Sequence, residues 1–165
     1  MYLLISALLL ASLPALAMGN DLLAPQGDVL LSIAGDITHP NVGSEAHFDR
    51  QQLLTLSPLT VCTRTPWHRE SGCFRGPLLR EVLAAAGVQS DSIVVHALNG
   101  YRAEIPVQEL HDYDVILAMN RNGEPMPIRE FGPLFVLYPF DEHPELHTEA
   151  VRFRSVWHVT KIHAR

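Results

Sequence analysis

Apolar residues in this chain come in short runs punctuated by glycine, proline and asparagine, a rhythm that predicts strands more often than helices. Asp28 to Ile37 (DVLLSIAGDI) reads as a first strand, and Leu59 to Thr65 as a second, stopped by Pro66. Ser92 to Leu98 and Tyr101 to Ile105 flank Asn99-Gly100, and Val115 to Asn120 and Glu124 to Ile128 flank Asn122-Gly123. Asn-Gly between alternating apolar segments is a strong hairpin signal, because both residues tolerate positive φ. Leu134 to Tyr138 is a continuous apolar run after Gly132-Pro133, the pattern of a strand buried on both faces, and Val156 to Ile162 is a last, alternating strand. Helical spacing is clearest at Pro77 to Ala86, where Leu78, Leu79, Val82 and Leu83 share a face and Gly87 follows. Phe48 to Leu56 reads as a shorter helix with Asp49 as its N-cap. The sum is an α+β fold, mixed and mostly β, with two or three short helices.

At 165 residues, 47% hydrophobic and 18% charged, the chain has the composition of one globular domain with a substantial core. Its formal net charge of -6 and the lack of a basic stripe argue against nucleic acid as a partner. Residues 1–17 read as a signal peptide: Leu3, Leu4, Ile5 and Leu8 to Leu10 form an apolar stretch, and Ala15-Leu16-Ala17 a cleavage site. The stretch lacks the usual leading Lys or Arg, and it is short for a span of ~20 residues. Residues 18–27 then form a loose N-terminal segment and 28–165 the folded domain. The expected location is the periplasm, with no transmembrane segment in the mature chain. The chain has two cysteines, Cys62 and Cys73. In an oxidising compartment a disulfide is one outcome and two free thiols another.

Several segments, taken in order, resemble the oxidoreductase molybdopterin-binding domain, the sulfite-oxidase-like fold. They are Leu59-Thr60-Val61-Cys62; Phe74-Arg75-Gly76-Pro77-Leu78-Leu79; Asn99-Gly100-Tyr101 with Ile105-Pro106; Leu117 to Met126 (LAMNRNGEPM); Gly132-Pro133-Leu134; and Ser155-Val156-Trp157. The resemblance places Cys62 where the family's enzymes hold a metal through a thiolate, a third outcome for that cysteine. The chain departs from those enzymes in its length and in lacking Cys-x-Gly-Asn after the ligand cysteine. Thr63-Arg64-Thr65-Pro66-Trp67 stands there instead. This form is similar to the stand-alone periplasmic pterin-binding proteins. The resemblance therefore implies a non-catalytic receptor for a pterin, in reduced form and without molybdenum. Its partner would be the periplasmic domain of a membrane-bound signalling protein, either a diguanylate cyclase/phosphodiesterase acting on c-di-GMP or a histidine kinase. The alternative is a small molybdenum-cofactor-dependent oxidoreductase with Cys62 as metal ligand.

A flat heterocycle rimmed by donors and acceptors needs stacking faces and a few fixed polar groups. Trp67 and Trp157, the only tryptophans, either stack on such a ring or pack the rim of the core. Arginine pairs through its planar fork with a carbonyl and a ring nitrogen together. Arg64, in the signature segment, and Arg129 and Arg154, beside the late strands, are the candidates, whereas Arg69 and Arg121 read as solvated. Thr65, Asn99, Tyr101, Tyr138 and Ser155 complete the expected pterin site. Asn99 has a competing reading as a turn residue. His143 and His147 read as solvated, and the acidic Asp141 to Thr148 segment as a contact loop or a solvated turn.

Overall fold

A computed structural model describes residues 22–165. The expected signal peptide and the first part of the loose segment lie outside the described residues. The chain orders as β1 (Val29–Gly35), β2 (Ala46–Asp49), α1 (Arg50–Thr55), β3 (Pro58–Thr63), β4 (Gly72–Pro77) and α2 (Leu79–Ala86). It continues with β5 (Ser92–Ala97), β6 (Arg102–Pro106), α3 (Val107–Asp112), β7 (Ile116–Ala118), β8 (Asn120–Arg121) and β9 (Glu124–Pro125). The last elements are β10 (Phe135–Leu137), α4 (Glu149–Arg154) and β11 (Val159–Ala164).

The strands form a five-stranded sheet in the order β2-β1-β11-β5-β6, a four-stranded sheet β3-β4-β8-β9 and a β10-β7 pair. Among the described strands only β1 and β11 run parallel. The inner face of the large sheet carries Leu31, Ile33, Ile93, Val95, Ile105 and Ile162, all fully buried against α2 and the β10-β7 pair. Val61, Phe74, Ile116, Ala118 and Phe135 form a second core beneath the small sheet. Trp67 packs against both cores. Strand β4 crosses β7 so closely that a Cβ on Gly76 would sit 1.9 Å from the Leu117 carbonyl oxygen, so only glycine fits.

The fold is the mixed, strand-rich α+β domain expected from the sequence, with corrections in detail. Among the described residues four short α-helices form, where two or three were expected. Pro77 ends β4, and α2 starts at Leu79 after a cap at Leu78. Phe48 and Asp49 belong to β2, although Asp49 does cap α1: its carboxylate accepts Gln52 N–H at 2.9 Å and the Gln52 side chain accepts Asp49 N–H. The run Val115 to Asn120 splits, β7 pairing with β10 and β8 with β4. Arg154 closes helix α4 and Ser155 caps it, so the last strand begins at Val159 and not at Val156. The Asn122-Gly123 turn has both residues at positive φ (51° and 88°), the geometry of a two-residue hairpin.

Candidate functional site

Three segments converge on one cleft. The loop between β3 and β4 brings Trp67, the β5-β6 turn brings Asn99 and Tyr101, and the stretch from α4 into β11 brings Glu149, Arg152, Phe153, Ser155 and Trp157. They enclose about 430 Å³ over a floor of Ala97 and Val156, within the ~300–1,000 Å³ of small-molecule pockets.

Each wall is held by identifiable bonds. The Thr65 hydroxyl oxygen accepts the N–H groups of Trp67 (3.3 Å) and His68 (3.2 Å), folding the chain back so that the indole points inward. The same hydroxyl lies 2.7 Å from His68 Nδ1. With its lone pairs receiving two donors, the hydroxyl is left to donate its hydrogen bond to that nitrogen, an arrangement that favours the neutral imidazole. Burial between Phe74 and Phe131, reinforced by the charge of Arg121 and opposed by Glu130, lowers the His68 pKa in the same sense. Trp67 meets Trp157 edge-on at 5.2 Å, and Trp157 meets Phe131 at 5.2 Å. Such contacts fix ring orientation beyond simple area burial. The Tyr101 hydroxyl donates to the Phe153 carbonyl at 2.9 Å, tying the hairpin to the end of α4. Buried Ser155 donates to the Val151 carbonyl at 2.9 Å and keeps acceptor capacity toward the cleft. Glu149 and Arg152, on the exposed face of α4, make no ion pair among the described residues.

Five of the ten residues expected to bind the ligand therefore line one cleft: Trp67, Asn99, Tyr101, Ser155 and Trp157. The other five lie outside it. Arg64 is 75% exposed and pairs with Asp141, through Nε at 3.3 Å and its backbone N–H at 2.9 Å. Thr65 acts behind the wall, as the anchor of Trp67. Arg129 is 84% exposed beside Glu130. Tyr138 is fully buried and donates to Glu109 Oε2 at 3.0 Å, while Arg154 pairs with the other carboxylate oxygen. Burial, then the Glu109 charge, pushes the Tyr138 phenol far up, so it stays a neutral donor. Arg154 and Tyr138 are thus bonded to the same acid and unavailable to a ligand. Asn99 Oδ1 accepts Tyr101 N–H at 3.1 Å, so its turn role holds while its amide NH₂ remains free. Glu149, Arg152 and Phe153 escaped the sequence reading. Thr148 as cap, Glu149 in the first turn and basic residues in the last are the available signal for α4.

Cys62 and Cys73 face each other across β3 and β4 and are joined by a disulfide. The N–H and carbonyl of Cys73 are both engaged with Asn122 on the far side. The two cysteines are therefore a non-hydrogen-bonded pair, where antiparallel strands approach most closely. Their neighbours Val61 and Thr63 are buried while Cys62 is exposed, so the sulfur bridge lies on the solvent side of the sheet. A molybdenum centre held through a soft thiolate does not fit this donor, which is bonded and turned outward. No group of three His, Cys, Asp or Glu side chains among the described residues is arranged to hold a metal. The cleft itself, with aromatic walls, an acid, a guanidinium, an amide and a hydroxyl, fits the planar pterin part of such a cofactor.

No curated protein sequence matches the chain. Residues 44–140 match the family described as the oxidoreductase molybdopterin binding domain, over more than half of the chain. By that match and by its strand-rich α+β fold, the chain belongs to the oxidoreductase molybdopterin binding domain family.

Proposed function

We propose that this protein is a periplasmic receptor that binds a reduced pterin without transforming it and passes its ligand state to the exported domain of a membrane-bound signalling protein. The observation that carries the reading is the pairing of a preformed aromatic cleft with a cysteine that is withdrawn from metal chemistry. Trp67 and Trp157 would supply stacking faces. The Glu149 carboxylate suits the amino and ring N–H edge of a pterin, and Arg152 suits its carbonyl and ring nitrogen. The apolar stretch and Ala15-Leu16-Ala17 of residues 1–17, read as a signal peptide, support export. As a receptor the protein would act by differential affinity, its loaded and empty forms binding the partner unequally. The partner class, a diguanylate cyclase/phosphodiesterase or a histidine kinase, comes from the resemblance to the stand-alone pterin-binding branch.

Anaerobic titration with a tetrahydropterin, read by quenching of tryptophan fluorescence, tests the reading. Wild-type protein should bind, and Trp157→Ala should weaken binding ~10–100-fold, as for a buried aromatic anchor. Absence of binding by wild-type protein, or stoichiometric molybdenum in protein from its native host, would overturn it.

A further inference from the structure

We infer that the outer face of the five-stranded sheet docks an acidic protein surface, which deepens the receptor reading and rests on it. The strand register aligns His47, Ser32, Lys161, His96 and Arg102 in one row across all five strands. The neighbours Leu31, Ile33, Val95, Ile162 and Ile105 are buried in the core, so the pleat turns this row to the opposite face. His163 and Glu104 stand in the next row, joined through Val94, and Arg165 follows at the end of β11.

The charge of this face runs against that of the chain. On a protein of net charge -6 with histidines counted neutral, it gathers Lys161, Arg102 and Arg165 against Glu45 and Glu104, with His47, His96 and His163 between them. Glu45 is already engaged, by Lys161 Nζ at 2.7 Å and His47 Nε2 at 2.9 Å, and Arg165 meets Glu104 only at 3.9 Å. Arg102 and His163 make no ion pair among the described residues. The pKa of His96 is lowered first by partial burial and then by Arg102, His163, Lys161 and Arg165, every charged contributor being basic. Within the row Arg102 is thus the cation left without a carboxylate partner among the described residues, while Lys161 and Arg165 are paired with Glu45 and Glu104.

The occupant that fits is a protein with surface carboxylates. A row across five strands is roughly 20 Å wide, so a small anion would touch only a fraction of it. Binding to anionic lipid takes clusters of ~4–8 Lys/Arg, whereas this face has three interleaved with carboxylates. A patch on the order of 400 Å² suits a transient, salt-sensitive contact. The face also shares its strands with the cleft. The turn joining β5 to β6 holds Asn99 and Tyr101, and Trp157 leads into β11. The strands that carry His96, Arg102 and Lys161 therefore end at the ligand, and a partner on this face would sense their positions.

The test uses the mature chain and fluorescein-labelled poly-L-glutamate, read by anisotropy. Wild-type protein is expected to bind at low salt and release as ionic strength rises. Arg102→Glu should weaken binding about tenfold, while reversal of a remote exposed arginine, Arg69→Glu, should change it less than twofold. Equal losses in both variants would mean a net-charge effect, and no binding by wild type would mean no site. Either result overturns the inference, as does tighter binding to phosphatidylglycerol vesicles than to polyglutamate. Tetrahydropterin affinity, measured in parallel, should be the same in Arg102→Glu and wild type. If no variant binds the pterin, the receptor reading fails independently of the polyglutamate result.

Discussion

Helix α4 contributes to two polar clusters that behave oppositely. On one side Glu149 and Arg152 face the cleft with no ion-pair partner among the described residues. On the other, Arg154 pairs with Glu109, whose second oxygen accepts the Tyr138 hydroxyl at 3.0 Å. Both clusters hold an arginine, a glutamate and an aromatic side chain. In the second, every group has found a partner around buried Tyr138, and the cluster holds α3, α4 and the end of β10 together. In the first, the groups surround a void of about 430 Å³ and keep hydrogen-bonding capacity. Residue type alone does not make a binding site; unspent polar capacity beside empty space does.

The sharpest way to break this comparison is Glu109→Ala, which leaves the Arg154 guanidinium and the Tyr138 hydroxyl without their acceptor. A loss of about 3 kcal/mol in urea unfolding is expected; a change below about 1 kcal/mol would show that the cluster is not structural. Replacing both cysteines (Cys62→Ser with Cys73→Ser) comes next. Opening the loop between them should cost about 2–3 kcal/mol, again by urea unfolding. Thr65 and the aromatic contacts would still hold Trp67, so tetrahydropterin affinity should stay within about threefold. A larger drop would move the disulfide from scaffold into site. Arg152→Ala should then weaken tetrahydropterin binding about tenfold, or ~1.4 kcal/mol, whereas Arg64→Ala, which severs only a surface pair with Asp141, should leave calorimetric affinity nearly unchanged. The opposite ranking would return Arg64 to the ligand.

The smallest effect is a pH dependence. His68 and His96 both have folded pKa values below the usual imidazole value. The unfolded chain therefore binds more protons as pH falls through ~6.5, and stability declines in that direction. Thermal melts between pH 7.5 and 5.5 should show Tm dropping on the acid side. His68→Asn, which keeps a polar partner for Thr65 and removes the titration, should flatten part of that slope. An unchanged slope would mean that His68 binds protons equally in the folded and unfolded chain.

Local pattern sufficed for much of the fold. The Asn-Gly turns, the capping by Asp49, the apolar run of β10 and the stop at Gly87 are each encoded within a few residues, because φ preferences, caps and alternation act at short range. Helices of six residues such as α3 and α4 are different. They are too short to show a period and are stable only by packing, so Glu149, Arg152 and Phe153 gave no clear sign that they line the cleft. The family's ordered segments led to the right fold and to both tryptophans.

Which candidate residues are free to meet a ligand was settled elsewhere, in contacts far apart along the chain. Arg154 and Tyr138 look like ligand groups until Glu109, 45 and 29 residues away, is placed between them. Cys62 looks like a metal ligand until the register of β3 and β4 sets it opposite Cys73 and turns both to solvent. Alternation dictates that neighbouring strand residues face opposite ways, but only the packed sheet decides which of the two faces is inside.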